Sequence, residues 1–218
     1  MPVPHQIREQ INKLVGYLVE VGLADDQAFA FQRSMRNNRI QVTFEGSEHV
    51  SIALRNRAYG ESYQHLVQAR AYNVKMLDGA LIQMMYEFAG ESLQRHRLAF
   101  FPAPHLEEFQ NNPDIYLEDT IYADMVARHI VPFPVRFDYN ARNSRETLAH
   151  PLSHLTLGQY KNCRIPVTAP VTPFWFIDFI LRNFYHPEWA ERLPNRGDSF
   201  AKSILPSEQG VVHVVIPS

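Results

Sequence analysis

Apolar residues recur at three- and four-residue steps through Ile7, Ile11, Leu14, Leu18 and Val21, and this stripe predicts an amphipathic N-terminal helix within residues 4–24. From Ile40 the pattern turns strand-like. IQVTFEGSEHVSIALR reads as two short strands around Gly46-Ser47, and YQHLVQARAY as another. GALIQMMYEF, the Ala89-Gly90 turn and ESLQRHRLAFF then form a hairpin, entered through the Asp78-Gly79 turn. Residues 39–101 are therefore a strand-rich meander. Near the C-terminus, Thr172 as N-cap and Pro173 at the first position open a helix over residues 172–186, whose FWFIDFILRNFY is apolar around nearly its whole circumference. Such a helix packs in the core or against a partner. GVVHVVIP reads as a last strand.

Strands without intervening helical crossovers imply an antiparallel arrangement. The expected fold is a single α+β domain spanning 1–218: a curved antiparallel sheet or half-barrel of about six to eight strands, with the N-terminal helix and the aromatic helix buried against it. With 218 residues, 45% of them hydrophobic, there is ample material for one core.

A formal net charge of −2 excludes a whole-molecule field that would steer the chain to nucleic acid or anionic membrane, so any nucleic-acid contact must use a local basic patch. One cysteine, Cys163, excludes an internal disulfide and a cysteine-based zinc site, in keeping with a reducing compartment. No segment approaches the roughly 20 apolar residues that span a bilayer, and the N-terminus lacks a signal-like apolar run. The expectation is a soluble cytoplasmic protein.

Charge is unevenly spread. Residues 103–128 form a Pro-punctuated acidic excursion with Glu107, Glu108, Asp114, Glu118, Asp119 and Asp124, read as a solvated loop, a partner-binding lid or an arm shielding a basic site. Residues 133–167 are the opposite, with Arg136, Arg142, Arg145, Lys161 and Arg164 against Asp138 and Glu146. This segment also carries Asn140, His150 and His154. If VRFDYN is extended, Val135, Phe137 and Tyr139 face the core while Arg136, Asp138 and Asn140 face the open side. His150, His154 and Thr156 share one parity in the neighbouring run. Paired strands would set a catalytic group of His150, His154 and Asp138 beside substrate-binding Arg136, Asn140 and Arg164. Arg70 and Arg97, with Gln68 and His96, join from neighbouring strands. A base, an acid and cations for developing charge are the minimum for metal-free phosphodiester cleavage.

A metal held by His150, His154 and Asp138 is the rival use. Four residues of extended strand span about 13 Å, so one ion reaches both imidazoles only with a bend at Pro151 or help from a third histidine such as His96. No metal and no cofactor are expected. Each residue also has a structural use: Asp138 capping the turn at Asn140, His150 fitting the loop before Pro151, Arg164 pairing with Asp138. No nucleophile elbow, P-loop, dinucleotide fingerprint or HExxH is present.

VRFDYN, HPLSHLTLGQYKNCRIPV and TPFWFIDFILRNFYH, preceded by GALIQMMYEF and HRLAFFPAP, resemble the bacterial domain of unknown function family 2290 from about Tyr63 to Trp189. That family brings no activity with it. The resemblance implies a second histidine where Thr156 stands, and the departure argues against a catalytic role for every member of the ladder. A fainter likeness is to small toxins of toxin-antitoxin modules, whose FRYDN and PHH-x-H runs echo Phe137, Asp138, Asn140, His150 and His154; it implies a ribonuclease. Two functional classes follow. One is a metal-independent ribonuclease or toxin-like effector of a bacterial defence or toxin-antitoxin module. The other is a non-catalytic subunit of a defence complex that binds a protein partner or nucleic acid. A protein partner or homo-oligomer is expected in either case, and no membrane.

Overall fold

The computed structural model describes residues 1–50, 58–104, 133–142, 150–160, 162–194 and 196–217. The acidic excursion lies outside them apart from Ala103 and Pro104, as do Arg145, Glu146 and Lys161.

Among the described residues nine strands form one antiparallel, open sheet: β1 (Ala24–Gln27), β2 (Phe31–Met35), β3 (Arg39–Thr43), β4 (Val74–Met76), β5 (Leu81–Ala89), β6 (Ser92–Phe101), β7 (Val135–Asn140), β8 (Ser153–Leu157) and β9 (Ile165–Pro166). The main path runs β1-β4-β5-β6-β7-β8-β9, while β2 pairs with β3 and β3 with β5. The three-residue loop of Arg36, Asn37 and Asn38 turns β2 into β3, with Asn37 (φ 62) and Asn38 (φ 53) in the left-handed region that asparagine tolerates.

One edge of β5 is therefore shared. β4 takes Leu81 and Ile82, β3 takes Tyr86 to Ala89, and neither covers the stretch between. Asn73 fills that gap. Its backbone N–H donates to the Ile82 carbonyl and its Oδ1 accepts from the Met84 N–H at 2.7 Å, so a side chain replaces a strand.

The principal core lies on one face, under α1 (Pro4–Glu20) and α3 (Pro173–Phe184). Ile7, Ile11, Leu14 and Leu18 of α1 and Phe176, Ile177, Ile180 and Leu181 of α3 meet Ile82, Met84, Leu98, Phe100, Val135 and Phe137. Thr172 caps α3 by accepting from the Trp175 N–H at 3.4 Å. The helix is not buried all round as its composition suggests. Phe174, Trp175 and Phe179 are half-buried and Arg182 is exposed. Short helices α4 (Pro187–Glu191) and α5 (Pro206–Gln209) follow.

On the other face a smaller cluster of Phe44, Val50, Leu66, Tyr72, Leu81 and Phe101 sits under α2 (Tyr59–Gln68). This helix corrects the strand expected of YQHLVQARAY: Tyr59, Tyr63, Leu66 and Val67 lie at helical spacing and pack on this cluster. Gly46 (φ 84) leads into a 3-10 turn over Ser47–His49, and the strand expected after Gly46-Ser47 falls largely on residues 51–57, outside the described residues. The C-terminal run forms no strand, only a parallel bridge from Val214 to Val167. Among the described residues no helix is long and apolar enough to cross a membrane.

Candidate functional site

Strand alternation puts Arg97, Asp138 and His154 on the sheet face opposite the principal core, in one cross-strand row through β6, β7 and β8. Ala99, Arg136 and Thr156 form the next row. The expected meeting of the β7 and β8 polar faces is therefore found.

Asp138 lies at the centre. Arg97 Nε donates to its Oδ1 at 3.2 Å, and Arg136 Nε stands 3.9 Å from its Oδ2, within ion-pair reach but beyond a hydrogen bond. Only 17% of the Asp138 side chain is exposed, so it is a desolvated charge that survives through its partners. Burial alone would raise its pKa, but Arg97, Arg136 and His154 outweigh that and hold it below the ordinary carboxylate range. The pairing that sequence reasoning gave to Arg164 thus belongs to Arg97.

His154 is 4% exposed, and its Nδ1 lies 3.1 Å from the Pro151 carbonyl oxygen. A carbonyl only accepts, so Nδ1 carries the proton and Nε2 is the basic nitrogen of the neutral ring. Burial lowers the His154 pKa, Arg164 and His150 lower it further, and Asp138 with the Pro151 carbonyl opposes them. The ring is therefore neutral at pH 7. The orienting carbonyl escaped sequence reasoning; its signal was the proline three residues before the histidine.

His150 is exposed, and its ring meets that of His154 edge to face with centroids 5.4 Å apart. The separation of about 13 Å expected of an extended chain does not hold, because β8 begins only at Ser153 and the chain before it bends at Pro151. Even so, no group of three or more His, Cys, Asp and Glu able to hold a metal occurs among the described residues.

Arg164 is half-buried, donates from Nη1 to the Cys163 carbonyl at 3.4 Å, and acts by its charge on both Arg136 and His154. Arg136 carries the cost. Burial lowers its pKa, and Arg97 and Arg164 lower it further against the pull of Asp138. Its Nε and the Oγ1 of Thr156 are buried without a hydrogen-bond partner among the described residues.

Other expected members lie elsewhere. Arg70, in a left-handed turn after α2 (φ 48), pairs with Asp26 at 2.6 Å. Gln68 ends α2 rather than lying on a strand. Asn140 closes β7 by accepting from the Arg142 N–H at 3.0 Å, so it caps its own turn and Asp138 does not. His96 cannot share a face with Arg97, its neighbour on one strand. It is buried on the core side, where Nε2 accepts from the Val171 N–H at 3.0 Å.

Residues 23–216 match a family described as an uncharacterized conserved protein (DUF2290). No curated protein and no solved structure matches the chain, so the likeness to small ribonuclease toxins finds no support.

Proposed function

The chain belongs to that family of uncharacterized proteins, and we propose that its site cleaves RNA without a metal. The observation that carries this reading is the cationic surplus around one carboxylate. Arg97 and Arg136 converge on Asp138, Arg164 adds its charge beside Arg136 and His154, and Arg136 keeps a buried Nε without a hydrogen-bond partner among the described residues. Excess buried cation is costly unless an anion completes it, and guanidinium groups suit phosphate oxygens. Beside this cradle stands a neutral histidine, the protonation state that a general base requires.

In the proposed step, Nε2 of His154 removes the proton of a ribose 2′-hydroxyl and that oxygen bonds to phosphorus. The bond from phosphorus to the 5′-oxygen breaks, and His150, as the general acid, gives a proton to the leaving oxygen. A 2′,3′-cyclic phosphate and a 5′-hydroxyl result. The arginines bind the non-bridging oxygens, whose charge grows in the transition state. Asp138 holds Arg97 and Arg136 in place.

Labelled single-stranded RNA and DNA, incubated with and without EDTA beside a His154→Ala variant, test this, with circular dichroism reporting folding. RNA should be cut in EDTA, DNA should be spared for want of the 2′-hydroxyl, and the variant should lose roughly 10²–10⁴-fold in rate while staying folded. Since burial lowers the His154 pKa, the acid limb of the pH–rate profile should have its midpoint below the ordinary histidine value of about 6.5. Absence of cleavage under every condition overturns the enzyme in favour of the non-catalytic subunit.

A further inference from the structure

The polar face does not end at the catalytic row. Arg33 on β2 pairs with Gln41 on β3, Gln41 with Glu87 on β5, Glu87 with Arg95 on β6, and Arg95 with Asn140 on β7. This second row crosses five strands and adjoins the row of Arg97, Asp138 and His154. Side chains bear out the shared face. Arg33 Nη2 donates to Gln41 Oε1 at 2.8 Å, and Arg39 pairs with Glu87 at 2.5 Å. Between the rows lies a recess of about 190 Å³ lined by Gln41, Met85, Glu87, Arg95 and Arg97, with Ser47 and Val50 also on its lining. Arg97 belongs both to the recess and to the cradle around Asp138, so the two are continuous.

We propose, resting on the ribonuclease reading, that this recess and the Arg33–Arg95 row form a track that holds a single-stranded RNA substrate across the sheet. Its length follows from strand spacing. Five steps of about 4.8 Å from β2 to β8 give roughly 24 Å. That suits a few nucleotides, near the low end of the roughly 4–16 that single-strand platforms cover. The charge suits an anionic chain: Arg33, Arg39, Arg95, Arg97 and Arg136 face Glu87 and Asp138, and Glu87 is already held by Arg39. The recess suits an unpaired base. Met85 offers an apolar contact, while Gln41 and Glu87 offer polar groups to a base edge, and only a strand free of duplex pairing can turn a base into it.

The test measures fluorescence anisotropy with a 12-nucleotide 2′-O-methyl RNA, which lacks the hydroxyl that cleavage needs, and with a duplex of the same sequence. Full-length protein is compared with an Arg33→Ala/Arg95→Ala variant, both positions being exposed. The variant should bind the single strand at least tenfold more weakly, and its slope of log affinity against log salt should fall by about 1.4, from two lost phosphate contacts. Cleavage of an RNA dinucleotide, which reaches only the catalytic row, should be unchanged. Equal binding by the two proteins, equal binding of duplex, or equal competition by polyglutamate, which marks a protein-type ligand, overturns the track. Dinucleotide cleavage by both proteins with equal oligonucleotide affinities would remove the track and keep the ribonuclease. Loss of oligonucleotide affinity with no cleavage would do the reverse.

Discussion

His96 and His154 lie on opposite faces of the sheet, and both are held neutral by burial. For His96 the pKa falls to about 3, lowered by burial against the pull of Asp138 and the Phe137 backbone. The unfolded chain therefore binds a proton on this residue between about pH 6.5 and 3 that the folded chain refuses, and stability falls as pH drops through that window. From pH 7 to 5 the expected loss is about 2 kcal/mol. His96→Gln keeps an acceptor for the Val171 N–H but does not titrate, so chemical denaturation of this variant should show that loss removed. Asp78 pulls the other way. Burial raises its pKa, against hydrogen bonds from the Ala80 N–H and the Tyr185 hydroxyl, so it favours the folded state as pH falls through the carboxylate range. The comparison of variant with parent cancels this contribution. Asn73 is a residue of another kind, since its value lies in one Oδ1. Asn73→Ala leaves the buried Met84 N–H without an acceptor and should cost about 1–3 kcal/mol by denaturant titration. At this scale the sequence was legible where alternation governs. Arg136, Asp138 and His154 were placed correctly because period two is strict. His96 was misplaced by ignoring that same rule, and the closeness of His150 to His154 was hidden because a bend depends on where the strand starts.

Among the elements, α3 combines a legible signal with a misleading one. Its Thr-Pro start and length were evident, but its composition implied burial on every side. The structure buries one stripe, in which Phe176 packs edge to face on Phe137 at 6.1 Å. Phe176→Ala should cost about 3–5 kcal/mol, read as a lowered denaturation midpoint with an unchanged slope. The N-terminal helix and the β5–β6 hairpin were legible because each carries one period for most of its length. By contrast α2 was read as a strand, because Tyr and Val favour strands and the run is short. Its burial decided otherwise. β2 was missed because all five of its residues are exposed, which leaves no hydrophobic alternation to detect. GVVHVVIP has strand composition but finds only one bridge, and no local signal reveals whether a neighbour will be there.

For the whole molecule, a net charge of −2 conceals the local field that the candidate site depends on. The surplus around Asp138 and His154 draws Arg97, Arg136 and Arg164 from separate stretches of chain, and composition averages such a cluster away. The sequence did locate positive charge between residues 136 and 164, but Arg97 and Arg95 enter only through the register of β6 on β7. The shared edge of β5 has a consequence for how the chain folds. The β5–β6 hairpin closes through a short turn, so it forms at a small entropic cost and offers a template at an early stage. Because β4 and β3 dock on different lengths of that template, the β1–β4 ribbon and the β2–β3 ribbon can add in either order. Pulsed hydrogen exchange during refolding should protect Gln83 and Met85 first, because their amides alternate with that of Met84 and face β6, with the two ribbons following at rates that single substitutions shift independently.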